Sequence, residues 1–340
     1  MIPLNVAVLG ATGLVGQEFL RILEERDFPV RSLRLLASDR SAGRTLLFRG
    51  ESIVVEEATD QSFDGIDLAL FSAGADISKK YAPIAAAAGA VVVDNSAAWR
   101  MDPDIPLVVP EVNPEDAFKH HGIIANPNCS TIQMVVALAP LHRVNPLRRV
   151  IVDSYQSVSG TGGPAVDELM GQTREMLDGL PPSPDVYPHQ IAFNVLPHID
   201  VLMDDGYYKE EWKMIHETRK IMDIPELPVS ATCVRVPVPI SHSESVHAEL
   251  TRPMSPDEAR AILSEAPGVV VMDRPGEAIY PLPSKAAGTD DVFVGRIRKD
   301  ASHPNGLVMW VVADNLRKGA ALNTIQIAEL IFSNRTAATA

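Results

Sequence analysis

One of the two cysteines in this 340-residue chain has neighbours that could make it chemically reactive. Cys129 follows Pro127 and Asn128 and precedes a run that predicts a helix, so its thiol would lie at a helix N-terminus. The helix dipole and the unpaired N–H groups there stabilise a thiolate, which is the nucleophilic form of cysteine. Cys233 lies inside the apolar segment ATCVRVPV, where a buried and inert thiol is expected. Cys129 is therefore the candidate nucleophile, and its partners must come from elsewhere in the chain.

Arg235 and His242 could serve that thiolate only if the chain between them bends. The planar guanidinium of Arg235 is suited to binding a carboxylate through two hydrogen bonds. The two residues are seven positions apart, so in a continuous strand their side chains would face opposite sides of the sheet. Pro237 and Pro239 make a bend plausible. Taken alone, His242 is better explained as an exposed histidine at the end of a strand, and the residues leave the question open.

A glycine-rich loop follows the first predicted strand. The segment VLGATGLVG places Gly10, Gly13 and Gly16 between that strand and a predicted amphipathic helix. Glycines permit a tight turn and a close backbone approach, and a helix N-terminus presents free N–H groups to a pyrophosphate. The GxxGxxG spacing is a variant of the dinucleotide fingerprint, although a plain turn into a helix has the same residues. The order of strand, loop and helix favours nucleotide binding.

The end of the second predicted strand, LLASDRSAGR, favours NADP over NAD. A loop that binds NAD usually has Asp or Glu at this point to hold the ribose hydroxyls. Here Ala37 and Ser38 end the strand, and Ser38 and Arg40 suit the 2′-phosphate of NADP. Asp39 argues in the other direction, and an exposed polar loop is the alternative interpretation.

Three further segments could contact the cofactor or the substrate. The second glycine-rich loop, SVSGTGGPA, could present backbone N–H groups and the hydroxyls of Ser159 and Thr161, or could be a flexible connector. The segment FSAG at 71–74 ends a predicted strand at the edge where a dinucleotide would lie. Asn315 begins a predicted helix and could reach the nicotinamide, but capping that helix is the simpler role.

The elements that must position these residues fall into two groups. Before residue 128, short apolar runs such as NVAVLG, IDLALFSAG, AVVVDNS and PLVVPEV alternate with helical patterns, which predicts a parallel sheet covered on both faces. Later strands, including SATCVRVPVPIS, are longer and have fewer crossovers, which predicts a mixed or antiparallel sheet. We therefore predict an α/β plus α+β fold. It comprises a Rossmann-like, mostly parallel dinucleotide-binding domain (1–128), an α+β catalytic and dimerisation domain (129–313), and a C-terminal helix returning to the first domain (314–340).

Composition excludes several classes of partner. Lys and Arg total 30 against 44 Asp and Glu, so a formal net charge of −14 argues against nucleic acid and against anionic membranes. The two cysteines form no CxxC pair, so neither a zinc site nor a disulfide framework is expected. The N-terminus leads directly into a strand without the pattern of a signal peptide. We expect a cytoplasmic protein with no metal and with a small-molecule substrate.

Six motifs in order give the chain a family resemblance. They are GATGLVG, DNSAAWRM, NPNCST, QSVSGTG, CVRVPV followed by HS, and DNLRKGAALN, and the match around them extends from residue 5 to about residue 330. In this respect the chain resembles bacterial aspartate-β-semialdehyde dehydrogenases. The resemblance implies NADPH-dependent reductive dephosphorylation of L-aspartyl-4-phosphate to L-aspartate-4-semialdehyde through a thioester on cysteine, in the biosynthesis of lysine, methionine and threonine. It also implies a homodimer, with a tetramer as a further possibility.

The resemblance also assigns roles to individual residues. Cys129 matches the nucleophile, His242 the acid/base, and Gln156 the residue that orients the reacting groups. The substrate-binding residues that it implies are Arg100, Asn128, Glu210, Lys213 and Arg235, with Arg235 on the carboxylate, Arg100 and Lys213 on the phosphate, and either Glu210 or its neighbour Glu211 facing the amine. The expected cofactor-binding residues are Gly10, Thr12, Gly13, Leu14, Val15, Gly16, Ser38, Arg40, Ser72, Gly74, Ser159, Gly160 and Asn315. Ser241 stands where the family more often has glycine, which leaves the local backbone geometry uncertain.

Three other functions remain as alternatives. A reductase of N-acetylglutamyl phosphate would use the same chemistry, but an acid facing a free amine favours aspartyl phosphate. A phosphorylating glyceraldehyde-3-phosphate dehydrogenase would share the general design, although the sequence NCST around the cysteine fits it poorly. A non-catalytic, nucleotide-sensing paralogue would be expected to lack Cys129 or His242, and both are present.

Overall fold

The computed structural model describes residues 2–333, and the chain divides into two compact units. The first unit contains the described residues up to Asn128 and from Ala320 onward, and the second unit is Cys129–Gly319. Of the segment predicted to return to the first domain, residues 334–340 lie outside the described residues.

Within residues 2–333 the chain forms thirteen strands in two sheets. The strands are β1 (Leu4–Leu9), β2 (Val30–Ala37), β3 (Thr45–Phe48), β4 (Glu51–Glu57), β5 (Leu68–Phe71), β6 (Val91–Asp94), β7 (Ile123–Ala125), β8 (Leu147–Gln156), β9 (Val229–Arg235), β10 (His242–Leu250), β11 (Val269–Val271), β12 (Val292–Lys299) and β13 (Gly306–Ala313). The first seven belong to the first unit and the other six to the second unit.

Eight α-helices accompany these strands in the described part of the chain. They are α1 (Leu14–Glu25), α2 (Ala75–Ala87), α3 (Cys129–Val144), α4 (Gly163–Leu177), α5 (Lys209–Ile221), α6 (Pro256–Ser264), α7 (Pro283–Ala286) and α8 (Leu322–Ser333). Short 3₁₀ turns occur at Asp39–Ser41, Asp60–Phe63, Pro114–Lys119, Val158–Thr161 and Pro275–Glu277, and a π-helical turn occurs at Arg317–Ala321.

The seven-stranded sheet has the order β3-β4-β2-β1-β5-β6-β7, and only the β3–β4 pair is antiparallel. All residues of β5 and β6 are buried, as expected for strands covered on both faces. Two apolar clusters provide these covers, one including α1 and α8 and the other including α2. Chain order reverses between β1 and β5, and ligands of such sheets bind outside the carboxyl ends of the strands at that point.

Two details of this sheet differ from the sequence prediction. The segment PLVVPEV does not form a strand, because only Leu107 makes an isolated bridge, to Ala125. Pro106 and Pro110 have no N–H groups to donate to a ladder, and the short β7 pairs with β6 instead. The β3–β4 hairpin was not predicted.

The six-stranded sheet of the second unit has the order β11-β12-β13-β10-β8-β9. Its β8–β9 and β11–β12 pairs are parallel and the others antiparallel, which confirms a mixed α+β domain beside the parallel one. Helix α3 contributes the central covering layer, and its residues Ser130–Ala139 are all buried. This explains why α3 has no clear polar face.

The chain between β9 and β10 bends, as the arrangement of Arg235 and His242 requires. The segment SATCVRVPVPIS is not one strand, because β9 ends at Arg235 and β10 begins at His242. Between them, Val236 N–H donates to Gln156 O and Val158 N–H donates to Val238 O. Consequently β9 and β10 lie on opposite sides of β8.

Candidate active site

Gln156, Arg235 and His242 lie in one row at the same end of three adjacent strands. Gln156 is paired with Arg235, and the pairing of Ser243 with Tyr155 places His242 beside Gln156 on the other side. Residues in register on neighbouring strands project from the same face of a sheet. All three of these side chains are buried.

Cys129 meets this row through His242. The Cys129 Sγ atom lies 3.2 Å from Nε2 of the fully buried His242. Cys129 is the first residue of α3, so the thiol is at a helix N-terminus as the sequence predicts. The glycine of the π-helical turn, Gly319, is packed against it, because a Cβ atom at Gly319 would lie 2.9 Å from Cys129 Cβ.

The other ring nitrogen of His242 faces Ser157. The Ser157 backbone N–H donates to Nδ1 at 3.0 Å, and Ser157 Oγ lies 3.1 Å from the same atom. Burial, and secondly the positive charge of Arg235, lower the pKa of His242 to about 3. The imidazole is therefore neutral at physiological pH.

Arg235 is fixed near His242 and keeps part of its guanidinium free of protein partners. Its Nη1 donates to Ser157 O at 2.6 Å, whereas its buried Nε has no hydrogen-bond partner among the described residues. A Cβ at Gly160 would lie 2.9 Å from Arg235 Nη1 and 3.3 Å from the His242 ring. Gly160 thus permits Arg235 and His242 to approach each other, and its contact with cofactor stays a prediction.

The acid of the EEWK segment that faces the site is Glu210. Its Oε1 accepts from Gln156 Nε2 at 3.2 Å and its Oε2 accepts from Lys213 Nζ at 2.9 Å. Glu211 is used structurally, because Oε2 accepts from Tyr208 N–H at 2.8 Å and Oε1 from Cys233 N–H at 3.0 Å. The structure therefore separates two neighbours that the sequence could not.

Lys213 has a second partner that sequence reasoning missed. Its Nζ donates to Asp200 Oδ2 at 2.6 Å in addition to Glu210. Burial opposes protonation, but the two carboxylates outweigh it and raise the pKa of Lys213 above its usual value. Asp200 lies in the irregular proline-rich stretch before α5 and has a φ of 70°, and no local motif distinguishes it in the sequence.

Asn315 connects the loops that surround His242. Its Oδ1 accepts hydrogen bonds from Ser157 Oγ, Ser159 Oγ and the Ser241 backbone N–H, at 3.0, 3.1 and 2.8 Å. The expected capping role is wrong for Asn315, because Oδ1 of its neighbour Asp314 accepts from the N–H groups at the start of the following turn.

Ser241 stands where the resemblance implies glycine more often, and its backbone has a conformation that favours glycine. Its φ of 79° lies in the left-handed region, which glycine adopts without strain and serine does not. The hydrogen bond from its N–H to Asn315 holds it there at 2.8 Å.

A separate cavity of about 590 Å³ lies in the first unit, at the switch point of the parallel sheet. Its lining includes six of the predicted cofactor-binding residues, namely Gly10, Thr12, Gly13, Ser38, Arg40 and Ser72. It also includes Asp39, Ser41, Ile77 and Tyr81, which were not predicted. Asp39 Oδ1 accepts from the N–H of Arg40 at 2.8 Å.

The glycines of the first loop have distinct roles. Gly10 has a φ of 88°, and a Cβ there would lie 2.2 Å from Ser72 O. A Cβ at Gly16 would lie 2.2 Å from Gly10 O, so Gly16 allows the helix to pack against the loop. Gly13 is the N-cap of α1 and lines the cavity. This backbone cradle at a helix N-terminus fits a dinucleotide pyrophosphate.

The remaining predicted residues lie outside the cavity lining. Leu14 and Val15 are in the first turn of α1, and Gly74, with a φ of 85°, is the N-cap of α2. Arg100 is buried in the first unit, where it donates to Asn126 O at 3.0 Å and to Asn95 O at 2.7 Å. Asn128 is buried immediately before Cys129.

Residues 2–333 contain neither a candidate membrane span nor a candidate metal cluster. No helix there is long and apolar enough to cross a membrane. No group of three or more His, Cys, Asp or Glu side chains in the same residues could hold a metal ion.

Comparison with known proteins identifies the family. The model of the semialdehyde dehydrogenase NAD-binding domain matches residues 5–120, and that of the semialdehyde dehydrogenase dimerisation domain matches residues 138–318. An aspartate-semialdehyde dehydrogenase from Aquifex aeolicus is 58% identical over 331 residues, covering 96% of this chain and 97% of the relative. The chain belongs to the aspartate-semialdehyde dehydrogenase family. A family member from Bacillus subtilis is 52% identical over 96% of both chains.

Solved structures of the family agree with this fold. Aspartate semialdehyde dehydrogenase II from Vibrio cholerae, complexed with ASA, has a TM-score of 0.96 and 48% identity, and the match covers 99% of this chain and 100% of that one. The family member from Candida albicans, solved with NADP, has a TM-score of 0.76 and 27% identity, with 97% and 98% coverage. The family resemblance predicted from the six motifs is confirmed.

Proposed function

We propose that this chain catalyses the NADPH-dependent reductive dephosphorylation of L-aspartyl-4-phosphate to L-aspartate-4-semialdehyde, a reversible step of amino-acid biosynthesis. The observation that carries the proposal is the 3.2 Å contact between Cys129 Sγ and His242 Nε2, beside a partly unengaged Arg235. Aspartate-semialdehyde dehydrogenases are 58% and 52% identical to this protein over 96% of its chain. This similarity favours the proposed activity over an N-acetylglutamyl-phosphate reductase or a nucleotide sensor.

The first covalent step uses the Cys129 thiolate. The sulfur attacks the acyl carbonyl, a C–S bond forms, and the carbonyl electrons move to oxygen. When they return, the bond between the acyl carbon and the phosphate oxygen breaks, leaving a thioester and inorganic phosphate. Dividing one difficult reaction into two easier ones is the benefit of a covalent intermediate.

The charged residues of the second unit bind the polar groups of the substrate. Arg235 takes the α-carboxylate through guanidinium N–H groups that include the unpartnered Nε. Glu210, which Gln156 and Lys213 hold in place, faces the α-amine. Lys213 binds the phosphate as a compact cation. The substrate-binding roles of Arg100 and Asn128 stay predictions.

The first unit holds the cofactor. Gly10, Thr12 and Gly13 receive the pyrophosphate, whereas Ser38 and Arg40 bind the 2′-phosphate of NADP. Asp39 lines the same cavity, and its Oδ1 accepts from the N–H of Arg40 at 2.8 Å. When bound, NADPH supplies the hydride that reduces the acyl group.

We further propose that the protein is a cytoplasmic homodimer, with association to tetramers as a possibility to be tested. Its second unit matches a dimerisation domain. The sheet in that unit exposes Tyr155. The centroid of its ring lies 5.4 Å from the centroid of the Trp310 ring.

The test is the phosphate-dependent reduction of NADP with aspartate semialdehyde as substrate. The absorbance of NADPH measures its rate. The natural protein is expected to turn over only with phosphate, and Cys129→Ala to lose turnover while retaining NADP binding. Cys233→Ala is the matched control and should remain active, because that thiol is buried and contacts Met214. Activity in Cys129→Ala, or activity of the natural protein only with an N-acetylated substrate, would contradict the proposal.

A further inference from the structure

Glu244 is a fully buried carboxyl group that the proposed mechanism does not use. It lies on β10, two residues after His242, and its exposed fraction is 0%. Neither of its carboxyl oxygens has a hydrogen-bond partner among residues 2–333, and no basic side chain is among the groups that affect its pKa. His242 supplies no positive charge, because its pKa is lowered to about 3. A lone carboxylate buried in such surroundings is strongly unfavourable, and a buried acid normally stays neutral instead.

Glu244 belongs to a second polar row, which lies beneath the row of site residues. Glu244 is paired with Ser154 on β8 and with Val311 on β13, and Ser154 is paired in turn with Cys233 on β9. Each of the three polar members lies two positions from a residue of the site row, so both rows project from the same face of the sheet. The two rows are in contact, since Gln156 Nε2 donates to Ser154 Oγ at 3.3 Å.

Helix α3 covers this second polar row with Gln133. Gln133 is buried and lies four residues after the first residue of α3, so both residues are on the same face of the helix. Its amide is close enough to Glu244 to affect the pKa of the carboxyl group, whereas Nε2 has no hydrogen-bond partner among residues 2–333. A carboxylic acid can donate to the amide oxygen and accept from the amide nitrogen, but a carboxylate can only accept. The protonated form of Glu244 therefore complements Gln133 better.

We propose that Glu244 stays protonated in the folded protein and is a positioning residue, which holds α3 against the sheet through paired hydrogen bonds with Gln133. The acid thus fixes the helix from beneath the site and contacts no substrate. The protonation state and the pairing do not depend on the proposed function. Only the effect on kcat, given below, depends on it.

The groups that face Glu244 do not favour its ionisation. Burial raises the pKa of the carboxyl group well above its ordinary value of 4.5, and the smaller opposing effect of the Gln133 amide does not offset this. The next titratable group along the row is Cys233. Burial raises the pKa of its thiol as well, with contributions from Glu210 and Glu211 on α5. The second polar row therefore holds two acids that are uncharged at neutral pH.

A protonated buried acid has a defined signature in the pH dependence of stability. Because the folded pKa of Glu244 is above the unfolded value, its contribution to stability is complete below pH 4.5 and decreases as the pH rises toward the folded pKa. Glu244→Gln keeps the shape of the protonated acid but cannot ionise, so it escapes this decrease. Relative to the natural protein, its folding equilibrium constant should increase by up to about tenfold for each pH unit above 4.5.

Hydrogen exchange of the β10 amides measures this ratio within the second unit. Protection factors are compared at about pH 5, 6 and 7, after correction for the intrinsic exchange rates. Glu249→Gln is the matched control, because it changes a carboxylate on the opposite face of the same strand, where Glu249 pairs with Arg149. Its effect should not grow with pH. A ratio for Glu244→Gln that is constant or falls with pH would overturn the proposal.

NMR of the natural protein labelled with ¹³C-glutamate detects the proton directly. One Cδ resonance should keep the chemical shift of a protonated carboxyl group at neutral pH and be absent from Glu244→Gln. The label excludes Asp94, another buried carboxyl group whose pKa burial raises. If Glu244→Gln does not fold, Glu244→Met identifies the signal, since methionine is unbranched and adapts to its surroundings. The absence of any protonated glutamate at neutral pH would overturn the proposal.

A double-mutant cycle tests the positioning role. Gln133→Leu and Glu244→Met each remove one partner of the pair, so their effects on the β10 protection factors should be coupled by at least about twofold. Additive effects would contradict pairing. In the folded proteins, Glu244→Met should lower kcat by about tenfold with less change in KM, whereas Glu244→Gln should retain kcat. Unchanged kcat in Glu244→Met would reduce Glu244 to a purely structural role. Exchange and NMR use no substrate, so failure here is distinguishable from failure of the proposed activity.

Discussion

At the scale of single residues, Lys213, the lysine that we propose binds phosphate, is already engaged by two carboxylates. Lys213 makes ion pairs with Asp200 at 2.6 Å and with Glu210 at 2.9 Å. Glu210 also contacts Gln156 in the row of site residues, whereas among residues 2–333 Asp200 is connected to that row through Lys213. A phosphate that binds to Lys213 must therefore compete with the Asp200 carboxylate.

We predict that Asp200→Asn lowers the KM for phosphate roughly two- to fivefold, the range expected from loss of a partly exposed ion pair. The kcat should change less than the KM, because Asp200 contacts no reacting group. Steady-state kinetics with varied phosphate measure both. Asp204→Asn removes one negative charge from the same exposed segment and serves as the control. An unchanged or higher KM in Asp200→Asn would contradict competition.

At the scale of secondary-structure elements, the π-helical turn Arg317–Ala321 positions the nucleophile. The hydrogen bond from Gly319 N–H to Asp314 O closes this wide turn at 3.0 Å. The wider turn places Gly319 directly against the first residue of α3. Turns of this kind are rare and often mark functional sites.

We predict that Gly319→Ala reduces kcat by about ten- to one-hundredfold, as displacement of a reacting group by a fraction of an ångström to an ångström would. The added Cβ would lie 2.9 Å from Cys129 Cβ and 3.3 Å from its Cα, so one backbone must move. Gly171→Ala is the matched control, since it is also helical but has open space around it. Equal kcat values for the two variants would argue against this role.

At the scale of the whole molecule, the protein combines a formal net charge of −14 with buried cationic side chains such as Arg100, Arg235 and Lys318. The low pKa of His242 adds a pH dependence to folding. Above pH 6.5, the ordinary histidine value, His242 is neutral in both states. As the pH falls from 6.5 to about 3, the unfolded chain binds a proton that the folded protein does not, so the stability decreases.

We predict that His242→Gln makes the free energy of unfolding less dependent on pH between 6.5 and about 3. The slope should decrease by up to about 1.4 kcal/mol per pH unit, the maximum for one group. Denaturant unfolding at a series of pH values measures the free energy of unfolding for both proteins. His189→Gln replaces an exposed histidine and should leave the slope unchanged. Parallel pH profiles for the natural protein and His242→Gln would contradict the prediction.

Features that depend on neighbouring residues were determined by the sequence itself. The strand, glycine loop and helix around Gly10 follow from local conformational preferences, and so does the placement of Cys129 at the start of a helix. The alternation of strands and helices likewise predicted the parallel sheet. The motifs in order were sufficient for the family, because six local patterns in register are seldom shared by chance.

The site itself was decided by the tertiary structure. Arg235 and His242 converge only because their strands pair with opposite sides of β8, which no spacing along the chain reveals. Glu210 differs from Glu211 only in what each side chain contacts after folding. Ser157 contacts both His242 and Asn315, although Ser157 and Asn315 are 158 residues apart in the chain. Such contacts arise when distant segments pack together, so local preferences carry no information about them.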